Sequence, residues 1–409
     1  MSTTTNGNWR DSTWGDEISL EYGKALRGYD PEHGKYRVFG SNGPIGWHSE
    51  YLTTGPGVIL GRKGAYRGVE YWRDPFWVID TAYYVVPKTE LDLRWLYYAI
   101  KHYKLGEIDD GSPIPSTTRA AVYVKELQVP PLREQQAIAC ILGALDDKIE
   151  LNRRRNRTLE AMARAIFQSW FVDFDPVKAK AAGRTPPGLS PTLAALFPDR
   201  FEDSPLGPIP AGWRVGNLGE VAENPRRGIG AEAIKSGTPY IALEHMPRRS
   251  IALSDWTTAD AIESNKFEFR RGEILFGKLR PYFHKVGIAP VDGVCSTDIL
   301  VIVPKQPEWF GFCAEHFSSD AIIHHCDRAS TGTKMPRTNW NDLARFEVAI
   351  PQREVAEAFT KQFKPIIDRI HQGIQESRTL AALRDALLPK LISGELRVPD
   401  AERIVGRTL

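Results

Sequence analysis

Two stretches of the chain place apolar residues at the spacing of a long amphipathic helix. In residues 132–170 and again in residues 352–391, apolar positions recur after four and three residues, and in the first stretch the pattern lasts more than four heptads. Such a seam is typical of a coiled coil. Because both seams must be buried, we expect the two helices to pair in antiparallel orientation. The predicted seam consists of Ile138, Leu142, Leu145, Ile149, Asn152, Asn156 and Leu159 in the first stretch, and of Ile366, Ile370 and Ile374 in the second.

Short runs of β-branched and aromatic residues, bounded by glycine and proline, fill the segment before each long helix. Runs of this composition and length predict β-strands. Examples are residues 36–39, 58–60, 82–86, 240–243, 273–276 and 299–303. We therefore expect an α+β protein in which two strand-rich domains are separated by two long helices that form an antiparallel coiled coil.

The two strand-rich segments repeat one pattern in the same order. A period of this length is too long for a solenoid and implies tandem domains. The matches pair residues 14–16 with 218–220, 57–60 with 272–275, 85–88 with 302–305, 111–115 with 332–336, 129–130 with 350–351 and 157–159 with 378–380. The match of residues 57–60 with 272–275 also pairs Lys63 with Lys278.

The domain boundaries follow from these patterns and from a stretch between the two copies that is crowded with proline. Proline and glycine at this density indicate a connector without a long helix. The predicted segments are a first strand-rich domain at 1–131, a long helix at 132–171, the connector at 172–210, a second strand-rich domain at 211–351, a second long helix at 352–393 and a C-terminal tail at 394–409.

Composition narrows the possible functions without naming one. The 53 Lys and Arg against 51 Asp and Glu leave a net charge of +2, so an affinity for nucleic acid would have to come from local basic patches. The four cysteines form no CxxC pair, which argues against a disulfide framework or a zinc ribbon. No apolar run approaches the ~18–20 residues of a spanning helix, and residues 1–10 lack a signal core. We therefore expect a cytoplasmic protein that does not bind a membrane.

Basic residues in glycine-bearing loops are the candidates for ligand contact. Arg62 and Lys63 follow the predicted strand 58–60, and Lys278 and Arg280 follow its counterpart in the second copy. Arginine can bind guanine edges and lysine can neutralise phosphates, while the nearby glycines allow a close approach of the backbone. A second loop adds Ser112 in the first copy, and Lys334 and Arg337 in the second. Solvated charges that contact nothing are the alternative for any one of these residues.

Motifs for catalysis are incomplete. Residues 272–279 fit most of a phosphate-binding loop, but Leu279 stands where a magnesium-binding Ser or Thr is required, and the segment has the composition of a strand. Residues 74–77 contain only one of the two prolines that an exocyclic-amine methyltransferase motif requires. The sequence therefore predicts no catalytic, metal-binding or cofactor-binding residue.

Several segments in combination closely resemble the specificity subunit of type I restriction-modification systems. The strongest are residues 130–135 and 388–396, and the others are residues 36–43, 61–64 and 79–81 and Trp213 with residues 218–220. The resemblance extends over residues 14–399. It implies that each strand-rich domain is a target recognition domain and that the chain reads an asymmetric bipartite DNA target. It also implies that the helices set the distance between the two half-sites and dock the other subunits.

The resemblance further implies the partners of the chain and the absence of chemistry within it. The partners would be double-stranded DNA, two modification (methyltransferase) subunits and the restriction (translocase) subunits. S-adenosylmethionine, ATP and magnesium would be used on those other subunits, and this chain would be non-catalytic. From the residues themselves, two alternatives stay open: a coiled-coil adaptor without nucleic-acid recognition, and a fused DNA methyltransferase/endonuclease.

Overall fold

The computed structural model describes residues 9–109, 111, 114–260, 262–329 and 335–406. The chain divides into two compact units. The first consists of Met1–Ile149 and Thr379–Leu409, and the second of Glu150–Arg378. The two long helices therefore each contribute residues to both units.

The first strand-rich segment is built around a buried central strand. Every residue of Gly57–Gly61 is buried, and this strand lies inside a four-stranded sheet of order β2-β8-β5-β6. Two smaller sheets, β4-β3-β7 and β1-β9, flank it. The elements are β1 (Arg10–Thr13), α1 (Trp14–Glu17), β2 (Ile18–Tyr22), β3 (Tyr36–Gly40), β4 (Gly43–His48), β5 (Gly57–Gly61), β6 (Val69–Trp72), β7 (Phe76–Val78), β8 (Ala82–Pro87), α2 (Leu93–His102), α3 (Arg119–Tyr123) and β9 (Glu126–Val129).

The long helices and the connector have nearly the predicted extents. The first long helix is α4 (Leu132–Phe167), which a π-helical turn at Gln168–Val172 prolongs. The stretch between the first long helix and the second strand-rich segment contains short elements: α5 (Asp175–Ala181), α6 (Pro191–Ala195), β10 (Phe201–Glu202) and β11 (Ile209–Pro210).

The second strand-rich segment repeats the four-stranded sheet, here in the order β13-β21-β18-β19, and adds a five-stranded sheet of order β14-β17-β20-β15-β16. The elements are β12 (Arg214–Asn217), α7 (Leu218–Val221), β13 (Ala222–Glu223), β14 (Gly228–Ile229), β15 (Pro239–Ile241), β16 (Thr257–Thr258), β17 (Lys266–Phe269), β18 (Ile274–Gly277), β19 (Val286–Ile288), β20 (Gly293–Cys295), β21 (Ile299–Pro304), α8 (Phe310–Phe317), α9 (Asp320–Ala329), α10 (Trp340–Ala344) and β22 (Glu347–Ile350).

The C-terminal region consists of two helices. The second long helix is α11 (Arg353–Ile392), close to the predicted residues 352–393. A short helix, α12 (Val398–Val405), follows in the segment that we predicted only as a tail, and its Ala401 and Val405 are buried in the core of the first unit. Among the helices of the described residues, none combines the length and the low polarity that crossing a bilayer requires.

The internal repeat is confirmed by equivalent contacts in the two copies. Lys88 donates from Nζ to the carbonyl of Gly15 at 2.5 Å, and Lys305 donates to the carbonyl of Gly219 at 2.6 Å. Each lysine directly follows the strand that pairs with the first strand of its four-stranded sheet. The same local sequence therefore folds to the same sheet twice.

Strand register corrects one detail of the predicted repeat. Gly61 lies opposite Ala82, and Gly277 lies opposite Ile299, so these two glycines are equivalent. Lys278 is therefore the counterpart of Arg62, and the pairing of Lys63 with Lys278 is wrong by one residue. The shift by one residue is important because successive residues of a strand point to opposite faces of the sheet, so Lys63 and Lys278 do not hold equivalent positions.

Within the first unit, the helix seam is apolar. Ile138, Leu142, Leu145 and Ile149 of α4 are buried in one cluster with three leucines of α11. At the edge of this contact, Asp146 and Arg384 form an ion pair of 2.6 Å. The buried leucines of α11 are Leu380, Leu387 and Leu391.

Within the second unit, the seam becomes polar and then aromatic. Asn152 donates from Nδ2 to Glu376 at 2.9 Å and to Ser377 Oγ at 3.3 Å. The rings of Phe167 and Phe359 lie 6.1 Å apart. Later residues of α4 thus meet earlier residues of α11, and the antiparallel pairing is confirmed.

Four seam residues of the second unit are buried, and two are not. Asn152, Asn156, Ile370 and Ile374 are buried. Leu159 and Ile366 are only partly buried against the core, and Ile367 takes the buried position beside Ile366.

Candidate nucleic-acid interface

The central strand of each four-stranded sheet ends against a second loop of the same domain. In the first domain, the N–H of Arg62 donates to the carbonyl of Thr81 at 3.0 Å, and the carbonyl of Arg62 accepts from Thr117 at 2.9 Å. The N–H of Gly64 donates to the carbonyl of Pro115 at 3.0 Å. We call residues 61–64, 80–82 and 115–117 the first junction.

The second domain builds the same arrangement with different side chains. The N–H of Lys278 donates to the carbonyl of Asp298 at 3.0 Å, and the carbonyl of Lys278 accepts from Thr338 at 3.0 Å. The N–H of Arg280 donates to the carbonyl of Pro336 at 2.8 Å. We call residues 277–280, 297–299 and 336–338 the second junction.

At the first junction, a tyrosine lies between two guanidinium groups. Tyr22 ends β2, and its ring centroid is 4.8 Å from Cζ of Arg62 and 4.3 Å from Cζ of Arg119. Arg62 also donates from Nη1 to the carbonyl of Asp80 at 3.2 Å. Tyr22 is still 46% exposed, so an aromatic ring with two guanidinium groups close to it is accessible from solvent.

The neighbouring Tyr83 fixes the inner side of this stack. Its ring centroid lies 5.1 Å from that of Tyr22, and its hydroxyl donates to the carbonyl of Thr117 at 3.2 Å. Burial, with a hydrogen bond to Tyr22, raises the pKa of Tyr83 to about 12. Tyr83 therefore stays neutral and serves to hold the stack in place.

Lys63 projects from a backbone that is held on both sides. Its N–H donates to Ser41 Oγ at 3.1 Å, and the Ser41 hydroxyl donates back to the Lys63 carbonyl. The side chain is exposed, and within the described part of the chain it has no ion-pair partner. This leaves the ammonium group available to an anionic ligand.

The second junction carries more positive charge. Arg280 adopts a left-handed backbone with φ of 51°, and its guanidinium lies 5.8 Å from the ring of Phe283. Arg337 is half exposed and lies 3.4 Å from the carboxylate of Asp298. Arg226, which follows β13, lines a small recess together with Lys278. Of the cations Arg226, Lys278, Arg280 and Arg337, only Arg337 forms an ion pair with a carboxylate among the described residues.

The structure thus brings together five of the seven candidate residues. Arg62 and Lys63 lie at the first junction, and Lys278, Arg280 and Arg337 lie at the second. Ser112 and Lys334 lie outside the described residues.

Sequence reasoning missed three residues at these sites, namely Tyr22, Arg119 and Arg226. Tyr22 and Arg226 come from segments distant in sequence from the candidate loops, and the pairing of strands brings them close, whereas Arg119 follows shortly after residues 115–117 of the first junction. A signal was present in the repeat, because Tyr22 and Arg226 lie four residues after equivalent positions, Ile18 and Ala222.

The described residues contain no group of three or more His, Cys, Asp or Glu side chains that could hold a metal ion. Instead, the sites combine cations, an exposed aromatic ring and backbone turns. Such groups can bind phosphates, stack on flat surfaces and donate hydrogen bonds to base edges.

Known proteins resemble this chain along most of its length. The family described as "Type I restriction modification DNA specificity domain" matches residues 8–161. The type I restriction enzyme MjaIX specificity subunit of Methanocaldococcus jannaschii is 27% identical over 77% of this chain and 72% of its own length. The EcoDI specificity subunit of Escherichia coli is 24% identical over 95% of this chain and 89% of its own length.

A solved structure shows the same fold. The type I restriction-modification S subunit from M. genitalium superposes with a TM-score of 0.56 at 18% sequence identity, covering 96% of this chain and 98% of that one. The fold class predicted from the sequence is therefore confirmed.

Proposed function

We propose that this chain, which belongs to the specificity subunits of type I restriction-modification systems, reads a bipartite DNA target through its two junctions. The observation that carries the proposal is the recurrence of a basic, solvent-facing site at the same place in two copies of one sheet. A site that binds DNA needs cations for phosphates and a second set of groups for bases. The two junctions offer both.

The different side chains of the two junctions support an asymmetric target. The first presents Tyr22 between two arginines, whereas the second presents cations around a recess. Because base edges are distinguished by the pattern of donors and acceptors that meets them, different side chains at equivalent places read different sequences.

The paired helices are suited to act as a spacer between the two half-sites. The helix α4 has 36 residues, and at ~1.5 Å per residue it is on the order of 50–60 Å long. At ~3.4 Å per base pair, such a length corresponds to about 15 base pairs. One chain with two readers joined by a spacer would follow the logic of a dimeric repressor that binds two half-sites at a set distance.

The chain itself is a non-catalytic subunit, and we propose that the chemistry belongs to its partners. Two modification subunits would methylate adenine with S-adenosylmethionine, and restriction subunits would use ATP and magnesium to translocate and cleave DNA. The complex would act in the cytoplasm on double-stranded DNA. Family membership favours this function over a coiled-coil adaptor without nucleic-acid recognition and over a fused methyltransferase/endonuclease.

Mapping of methylated adenines in the host genome tests the proposal. We expect one asymmetric motif, made of two short specific parts around an unspecified gap, to be methylated in the presence of this chain. Deleting the gene for the chain alone, with the genes of the modification subunits intact, should abolish methylation at that motif. Re-expression of the chain is the control. Methylation that persists without the chain, or a motif without a gap, would contradict the proposal.

A further inference from the structure

The second junction contains a small recess. Its lining includes Arg226, Lys278, Asn224 and Thr297 together with the apolar residues Phe267, Leu300 and Val301. The recess has a volume of about 90 Å³. At ~30 Å³ for each water of the liquid, this is room for about three water molecules or one small anion.

Two cations at this recess lack an anionic partner. Neither Arg226 nor Lys278 forms an ion pair within the described ranges, whereas Arg337 of the same junction is paired with Asp298 at 3.4 Å. Asn224 is already engaged, because its Nδ2 donates to the carbonyl of Val301 at 2.8 Å. The positive charge at the recess is therefore not compensated by an ion pair within the described residues.

The backbone places Arg226 at the recess at a conformational cost. Its φ is +47°, in the left-handed region that residues other than glycine seldom adopt. Departures of this kind concentrate at binding sites, where the surrounding structure holds them for a functional geometry.

The equivalent sequence position of the first domain carries an aromatic residue. Ile18 lies opposite Pro87, and Ala222 lies opposite Pro304, so the residue four positions further on is Tyr22 in one copy and Arg226 in the other. Arg62, the counterpart of Lys278, lies over the ring of Tyr22. The combination of two cations at these positions is thus a feature of the second domain.

We propose that Arg226 and Lys278 bind one phosphate of the DNA backbone within the half-site read by the second domain. This inference rests on the proposed function and names the chemistry of one of its contacts. A phosphate projects from the outside of a duplex and can enter a recess of this size, whereas a stacked base pair cannot. Two cations and the hydroxyl of Thr297 match the oxygens of a phosphodiester, and such a contact fixes position without reading sequence.

The test uses the full chain assembled with its modification subunits, and a DNA duplex that contains the motif identified by methylation mapping. Binding is measured at several salt concentrations for Arg226→Ala, Lys278→Ala and the double variant. Each phosphate contact contributes about 0.9 to the slope of log K against log salt. Because one phosphate is shared, we expect the double variant to lose about one in slope, rather than two, and to bind on the order of tenfold more weakly.

A scan of neutral linkages identifies the phosphate. Single methylphosphonate linkages are placed in turn along both half-sites. One neutral linkage should weaken binding by the wild-type chain but not weaken binding by the double variant any further. If no linkage behaves in this way, the proposal is wrong. If, in addition, inorganic phosphate competes equally with every duplex, the recess binds free phosphate and not the DNA backbone, and this result also overturns the proposal.

Two matched variants control for charge and folding. Arg271→Ala removes the same charge just before β18, at the opposite end of the strand from Lys278, and should leave the slope unchanged. Lys278→Arg keeps the charge and should keep the slope. An equal decrease of the salt slope in Arg271→Ala and Lys278→Ala would contradict a local contact between Lys278 and a phosphate. If even the wild-type complex fails to select its target, the proposed function fails, whereas a selective complex with an unaltered double variant refutes the recess alone.

Discussion

A carboxylate is enclosed in the second unit where α4 packs against the recognition domain. Glu315 of α8 is 4% exposed, and burial raises its pKa to about 8, with the negative charge of Glu160 acting in the same direction and Arg164 opposing it. Glu160 of α4 is also buried, and it accepts hydrogen bonds from the Ser250 hydroxyl at 2.8 Å and from the Ala252 N–H at 3.1 Å. Burial likewise raises the pKa of Glu160.

The raised pKa of Glu315 predicts how stability depends on pH. Between about pH 4.5 and 8 the unfolded chain releases this proton and the folded chain keeps it, so the free energy of unfolding falls as pH rises. Over that pH range, the free energy of unfolding falls by at most roughly 5 kcal/mol because of this group. We expect Glu315→Gln to remove most of this loss, so that its Tm exceeds that of wild type by several degrees more at pH 8 than at pH 5.

Thermal unfolding of the full chain and of the variant at pH 5, 6.5 and 8 measures the effect. The buried His316, whose pKa burial lowers to about 3, titrates in the opposite sense below pH 6.5 in both proteins. Its contribution therefore cancels in the difference between the two curves. Parallel curves for wild type and variant would show that Glu315 does not carry the pH dependence.

At the scale of elements, the long helices combine an apolar seam with polar contacts that favour one register. The Asn152 side chain is buried and bonds to Glu376 and Ser377, while Asp146 pairs with Arg384. A buried amide on such a seam costs stability, but it penalises any shifted pairing in which the amide has no partner. Fixed register is what a spacer requires.

Removing one heptad from both helices tests the spacer. Deleting residues 145–151 and 379–385 removes Asp146 together with Arg384 and keeps Asn152 together with Ser377. Seven residues at ~1.5 Å shorten the pair by about 10 Å, which corresponds to about three base pairs. We expect the gap of the methylated motif to shorten by about that amount while both specific parts remain the same.

Sequencing of the modified DNA gives the gap directly. Deleting residues 145–151 alone is the control, since it misaligns the seam and should abolish methylation. An unchanged gap in the double deletion would exclude the helices as the element that sets the distance.

At the scale of the whole molecule, each recognition domain has a core of its own. In the first domain the sheet of β5 packs with α2, and in the second the sheet of β18 packs with α8. The strand β1 pairs with β9, so the first domain is complete only if residues 10–13 are included with residues 126–129. An exchange that begins after β1 would split this sheet.

Exchange of residues 9–131 for the matching segment of a relative with a different target should change one half of the methylated motif and leave the other half intact. Exchange of residues 211–351 is the reciprocal experiment and should change the other half. Adenine mapping reports both outcomes. If a single exchange changes both halves, the domains do not read the target independently.

Much of this architecture followed from local patterns. The heptad spacing gave both long helices within a few residues of their ends, and runs such as residues 58–60 and 299–303 gave central strands. The repeat was visible because equivalent turns and strand ends need the same residue types. Helices, strands and turns depend mainly on residues that are near in sequence, so the periodicity of apolar residues predicts them.

Contacts between distant segments could not be obtained in that way. The sequence by itself determined the fold class, the two copies and the basic loops, because each is encoded in periodicity or in short motifs. The tertiary structure alone decided that Lys278 matches Arg62, that Tyr22 lies against Arg62 and Arg119, that Ile367 lies deeper than Ile366, and that Glu315 is buried. Strand register and packing across long sequence separations set these features, and a shift of one residue would place different side chains at the same site.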